Sequence, residues 1–407
     1  MFVVIKTTQE EITVAYHGTT GFVAQYDERP PSSGALVKVA ALMLGILVPV
    51  LSILAVLLWV SAQDAQRAAE QARDAAPAPA ATTSMASMSG TTATAGEGSF
   101  ATPSFAGIAP ANADALAAAH AAYPAELPAL QAGPVAHVSM TIAHETISIA
   151  PGIHYQAWTF GKGAPGPVIH VREGQTVDVH LTNGSPMPHS VDFHAARIAP
   201  NMAFADVAPG ETFSFKFTAG DPGVYMYHCG TKPVLAHIAN GMYGAIVVEP
   251  KAGVLPHADH NYALVSSEWY LNAGGDKSPA GLDMTKANEM KPDWVTWNGY
   301  AGQYVKHPLT AKPGETVRFW VVAAGPSLDT DFHVVGTLLN RAWVDQDLTQ
   351  YQRNVQTVVV PAGGGGVFDV KIDHPGLYPF VSHSFASVNM GQVGLLKVGD
   401  VKGTMSH

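Results

Sequence analysis

Two hydrophobic patterns divide the 407-residue chain. From Val39 to Ala62 no charged residue interrupts the sequence, and Lys38 and Asp64 bracket the run. At about 1.5 Å per residue a helix of that length spans roughly 36 Å, enough to cross a bilayer. Pro49 is tolerable inside such a helix, and Trp59 falls near the interface. A cleaved leader ending at Val60-Ser-Ala62 is the other reading, but the long preamble and long apolar core favour an uncleaved anchor. Lys6, Arg29 and Lys38 before it and Arg67 and Arg73 after it barely orient it by charge.

Further along, the period falls to two. Phe213-Ser-Phe-Lys-Phe217 alternates apolar and polar residues as half-buried strands do, and Pro-Gly turn signals precede such runs. Asp64 to about Gln131 shows neither pattern. A short helical stem at Gln66–Arg73 passes into Pro/Ala/Thr/Ser/Gly-rich sequence with too few large apolar residues to bury a core. The expected plan is therefore an N-terminal cytoplasmic segment (1–38), a transmembrane helix (39–62), a flexible low-complexity tether (63–131), and domains at 132–252 and 253–407.

The two domains are internal repeats. The first contains Thr176-Val-Asp-Val-His-Leu-Thr-Asn183, Asp192-Phe-His194, Pro209-Gly-Glu-Thr212 and Pro222-Gly-Val-Tyr-Met-Tyr-His228. The second answers with Pro313-Gly-Glu-Thr316 and its following strand, Asp331-Phe-His333 and Pro375-Gly-Leu-Tyr-Pro-Phe-Val-Ser-His383. With 39 glycines, 29 prolines and sparse charge, the fold class is all-β: two tandem Greek-key β-sandwiches. The formal net charge of −10 argues against nucleic acid, which needs a basic face. A single cysteine excludes an intramolecular disulfide.

That cysteine carries the chemistry. Cys229 with His189, His237 and Met242 supplies one thiolate, two imidazoles and a weak thioether, the ligand set of a blue-copper electron-transfer site. His228 and His194 are then spare. Successive side chains of a strand face opposite sides, so His228 and Cys229 do not readily share one metal. A one-electron relay with two extra histidines beside it points to a second metal.

Residues from about His154 to Val398 resemble the two-domain copper nitrite reductases, within the multicopper oxidase (cupredoxin) superfamily. The resemblance rests on His189-Ser-Val-Asp192-Phe-His194, His228-Cys229 with His237 and Met242, Phe332-His333 and Ser382-His383-Ser-Phe. It implies cupredoxin-like domains and two coppers per chain. Type 1 copper would lie on His189, Cys229, His237 and Met242. Type 2 copper would lie on His194, His228 and a His383 from a neighbouring subunit, which makes the protein a homotrimer. Reduction of nitrite to nitric oxide and water consumes one electron and two protons, and Asp192 and His333 would be the acid–base pair. Asp192 lies two residues before His194, on the same strand face, and His333 matches His194 in the duplication. The implied electron donor is a cytochrome c or a cupredoxin, and the implied location is extracytoplasmic, membrane-anchored.

The chain departs from the family in three places. The Cys229–His237 loop is one residue shorter than in well-known members. Val334-Val335-Gly-Thr337 lacks a second nearby histidine, and Val335 replaces a bulkier aliphatic residue over the catalytic metal. The anchor is also atypical. Two other readings stay open: a tethered electron carrier or copper-binding protein, needing one copper per chain, and a laccase-like oxidase. The latter needs His-x-His pairs, and none occurs. His257 and His260 could bind a metal only adventitiously, and Met85, Met88 and Met140 read as scattered methionines. His144, His154, His170 and His180 read as ordinary polar residues of strands or turns, and His374 as a turn residue.

Overall fold

The computed structural model describes residues 4–8, 11–15, 110–345 and 347–401. β1 (Val4–Thr8) and β2 (Glu11–Ala15) form an antiparallel hairpin in a unit of its own. The expected span at 39–62 and the stem at 66–73 lie outside the described residues. Among the described residues no helix is long and apolar enough to cross a membrane.

Residues 135–249 carry β3 (Val135–Ala150), β4 (Ile153–Phe160), β5 (Ile169–Arg172), β6 (Thr176–Asn183), β7 (Asp192–Phe193), β8 (Thr212–Thr218), β9 (Gly223–His228) and β10 (Tyr243–Glu249). They form two four-stranded sheets, ordered β4-β3-β6-β8 and β5-β10-β9-β7. Val177, Val179 and Leu181 of β6 and Ile246 and Val248 of β10 meet between the sheets, with Phe193, Phe217 and Tyr227. On β8 the expected alternation holds: Phe213, Phe215 and Phe217 turn inward and Ser214 and Lys216 outward. These are cupredoxin-like all-β sheets.

The second half holds β11 (His260–Trp269), β12 (Trp294–Trp297), β13 (Leu309–Ala311), β14 (Thr316–Gly325), β15 (Thr330–Val334), β16 (Leu339–Val344), β17 (Gln352–Val355), β18 (Thr357–Val360), β19 (Gly365–Lys371), β20 (Gly376–Ser382) and β21 (Val393–Val398). The sheet orders are β12-β11-β14-β19-β16-β17 and β13-β21-β20-β15-β18. Phe319, Val321, Phe332, Phe368 and Phe380 fill the space between them.

Some strands are apolar on both faces because the sandwiches share a third core. On β14, Phe319 and Val321 face the inside of their own sandwich, while Trp320 and Val322 face the other way. On β10, Tyr243, Ala245 and Val247 likewise turn out and join Trp320, Val322, Trp343 and Val367. The alternation of side chains along a strand makes this division automatic.

Of the expected tether at 63–131, residues 110–131 are described and are seated against the sandwiches. Lys306 of the second half pairs with Asp114 of helix Ala113–Ala119 at 3.0 Å, and Ala125 after the helix joins the core of the second sandwich. Leu127 N–H donates to Asn261 O, and Ala263 N–H donates to Ala125 O. Tyr304 Oη donates to Tyr123 O at 2.8 Å, and Tyr123 Oη to Gly166 O at 2.9 Å. Backbone pairing along β11 and one anchoring tyrosine need no amphipathic repeat, so composition alone missed the seat.

Candidate metal centre

Cys229 follows β9 directly, His189 bridges to Val207, His237 sits in helix Val234–Ala239, and Met242 immediately precedes β10. All four are buried. Gly241 sets the return of the chain: its φ of +111° is left-handed, and a Cβ there would stand 2.9 Å from the Ala164 Cβ. Met242 N–H then donates to His237 O, and Cys229 N–H to Met242 O, which brings the loop together.

The donor atoms converge. Cys229 Sγ is 3.2 Å from His237 Nδ1 and 3.8 Å from His189 Nδ1, and the two Nδ1 atoms are 3.0 Å apart. The centre of that triangle lies about 2 Å from each corner, the length of a bond to a first-row transition ion. Burial, then His237 and His144, pull the His189 pKa down to about 3, and burial lowers that of His237. Both rings are therefore neutral at pH 7, as ligands must be. Ser190 N–H donates to Cys229 Sγ at 3.4 Å, a contact of the kind that tunes a copper–thiolate potential. The donors present fit a copper ion bound by thiolate and imidazole.

Beside this set, His228 and His194 bring their Nε2 atoms to 3.1 Å, with rings nearly perpendicular at 87°. Both rings are held from behind, His228 Nδ1 2.9 Å from Cys229 O and His194 Nδ1 3.0 Å from Gly363 O. Asp192 pairs with His228 across β7 and β9. Burial lowers the His228 pKa, and the Asp192 charge opposes that shift.

The second sandwich repeats the arrangement. His333 and His383 have ring centroids 5.1 Å apart, as do His194 and His228, and cross at 72°. His333 Nδ1 lies 2.7 Å from Gln356 O. His383 N–H donates to Asp331 O, so Asp331 and His383 stand to each other as Asp192 and His228 do. A short helix, Phe385–Asn389, and Gly391 with the same φ of +111° follow His383. Ser384 falls where Cys229 stands, and Gln392, whose N–H donates to Ser387 O, where Met242 stands. The second copy thus keeps the histidine pair and lacks the sulfur ligands. Among the described residues of one chain, His194 and His228 gather with no third metal-binding side chain, and His383 is exposed.

Other residues fall differently from expectation. His144, expected as an ordinary strand residue, places Nε2 3.1 Å from His189 Nε2 and stacks on Trp158. Trp158 meets His189 and His237 edge-on. His144 and Trp158 are register partners on β3 and β4, so counting back from the Pro151-Gly152 turn would have paired them. Met140 is a core residue of the first sandwich; Met85 and Met88 lie outside the described residues. His260 pairs with Glu315 at 2.8 Å and His257 with Asp259 at 3.4 Å, and among the described residues no metal set gathers around either. His170 lies between Pro128 O and Glu249. Val335 donates its N–H to Pro379 O.

The multicopper oxidase family matches residues 141–253, which hold both the sulfur-containing set and the His194–His228 pair. Over 269 residues the chain is 44% identical to the copper-containing nitrite reductase of Neisseria meningitidis serogroup B, covering 64% of this chain and 68% of that one. It is 30% identical over 269 residues to the copper-containing nitrite reductase of Pseudomonas chlororaphis, covering 61% and 74%. The solved copper nitrite reductase from Nitrosomonas europaea superposes with a TM-score of 0.61 at 34% identity, covering 65% of this chain and 94% of that one. Fold and family match together define a protein of the multicopper oxidase superfamily. Within it, the chain belongs to the copper-containing nitrite reductase family.

Proposed function

We propose that the protein reduces nitrite to nitric oxide and water, taking one electron through a type 1 copper site and binding nitrite at a type 2 site. The single observation that carries this is the junction at residues 228–229. Cys229 Sγ joins a buried two-histidine set, while the adjacent His228 joins His194. A lone electron carrier has no use for that second pair.

His189, Cys229, His237 and Met242 would hold the first ion. His194 and His228, completed by a His383 from a neighbouring copy, would hold the second, giving two coppers per chain in a homotrimer. The exposure of His383 and the absence, among the described residues, of a third ligand beside His194 and His228 support an intersubunit site. Copper supplies one-electron transfer at the first site and an open position for nitrite at the second. The Cys229-His228 peptide is the covalent path between them. The reaction NO2⁻ + e⁻ + 2H⁺ → NO + H2O needs two protons, for which Asp192 and His333 are the acid–base groups. A cytochrome c or a cupredoxin is the class of donor; the uncharged run 39–62 supports a membrane anchor, and the function itself supports an extracytoplasmic location.

The test is direct. The copper-loaded chain, given a reductant and nitrite without oxygen, releases nitric oxide and binds two coppers. A fully two-copper sample that yields no nitric oxide refutes the enzyme; one copper per chain returns the carrier reading.

A further inference from the structure

The outer face of the first sandwich holds a second cluster of metal-binding side chains, away from the residues discussed above. His137 on β3 and Asp178 on β6 are register partners, and His180, two residues on, lies on the same strand face. His137 Nδ1 is 3.5 Å from Asp178 Oδ2, and His180 Nε2 is 3.3 Å from Asp178 Oδ1. One donor atom from each of the three lies within 4.8 Å of the others. We propose that His137, Asp178 and His180 form a third metal site, for a borderline divalent ion such as zinc or copper(II).

Three features mark it as more than a polar patch. The Asp178 side chain is only 9% exposed, although both histidines are open to solvent. Its Oδ1 is buried and makes no well-aligned hydrogen bond, with His180 Nε2 at 3.3 Å beside it, an arrangement that a cation shared by the two groups would satisfy. His180 Nδ1 is tied to Ser214 Oγ on β8 at 2.8 Å. A partner on the far ring nitrogen is what fixes the tautomer and aim of a ligating imidazole. Two imidazoles and one carboxylate, with the remaining positions open to water, suit zinc or copper(II) better than calcium or magnesium.

Lys216 is the competitor. Its Nζ lies 3.1 Å from Asp178 Oδ2, where it keeps the Asp178 carboxyl below the ordinary carboxylate range and hence ionised. The Lys216 side chain is 63% exposed, so it has room to swing into water when an ion enters. The bound ion would then clamp β3 to β6 at the end of the sheet remote from His144.

The experiment uses the full chain with its two proposed copper sites already loaded, titrated with zinc and followed by calorimetry and metal analysis. The expected result is one further zinc per chain, lost in the His137→Ala/His180→Ala double variant. Lys216→Gln should bind zinc roughly five- to tenfold more tightly, because a nearby like charge is removed. The visible copper–thiolate band, unchanged in all three proteins, reports that the fold is intact. No additional zinc in the unaltered protein overturns the proposal. So does an equal zinc isotherm in the double variant, which would place the zinc elsewhere, for example at His257 and His260.

Discussion

His228 and Cys229 are consecutive residues whose side chains join different groups. Cys229 Sγ lies 3.2 Å from His237 Nδ1, and His228 Nε2 lies 3.1 Å from His194 Nε2. The end of β9 is therefore shared by two sets of donors, and the substitutions that separate them are specific.

Cys229→Ser should abolish the strong visible absorption of the copper-loaded protein and leave the second copper in place, because serine is a poor substitute for a thiolate. His383→Ala should do the reverse. Absorption spectra with metal analysis check both. A His383→Ala protein that keeps full activity contradicts the three-histidine assignment.

The proposed contribution of His383 from a neighbouring copy can be tested by complementation. A chain carrying His194→Ala and His228→Ala lacks one half of the second site, and a His383→Ala chain lacks the other. Each alone should be inactive. Mixed trimers of the two should regain part of the activity, since one intact site forms where the unaltered halves meet. No recovery in mixed trimers would show that the site closes within one chain.

His144 holds the outer nitrogen of His189 at 3.1 Å. Its replacement by phenylalanine removes the hydrogen-bond partner while keeping a ring over Trp158. Copper affinity at the first site should fall roughly ten- to hundredfold, the usual effect of losing such a partner. Equilibrium competition with a copper chelator measures it, and unchanged affinity would make His144 a bystander.

Stability of the second sandwich depends on a buried charge. Asp369 is wholly buried, takes two bonds from Arg318 at 2.7 and 2.9 Å, and accepts from Arg341 at 3.1 Å. Asp369→Ala leaves a buried guanidinium unpaired and should cost about 3–5 kcal/mol. Denaturant unfolding reads this, and a loss below about 1 kcal/mol would be no more than a surface pair contributes.

The strands were legible because their alternation is local, as Phe213, Phe215 and Phe217 show. The sulfur-containing set was legible because three of its members share one short loop. The duplication aligned His333 with His194, the family resemblance supplied His383, and the two histidine pairs have equal ring separations. What escaped depends on register between strands distant in sequence. His144 reaches His189 only after β3 pairs with β4 and β6, and Asp178 joins His137 across the β3–β6 ladder. The seat of residues 110–131 escaped for a related reason: backbone bonds to β11 leave no mark on side-chain pattern.

The most direct test of the relay follows the cysteine–copper band itself. The copper-loaded, fully reduced protein, with its band bleached, is mixed with nitrite in the absence of oxygen and donor. The account predicts that the band returns at the rate at which nitric oxide is released, because the electron held beside Cys229 leaves through His228. A band that stays bleached while nitric oxide forms, or returns with no nitric oxide, would contradict it.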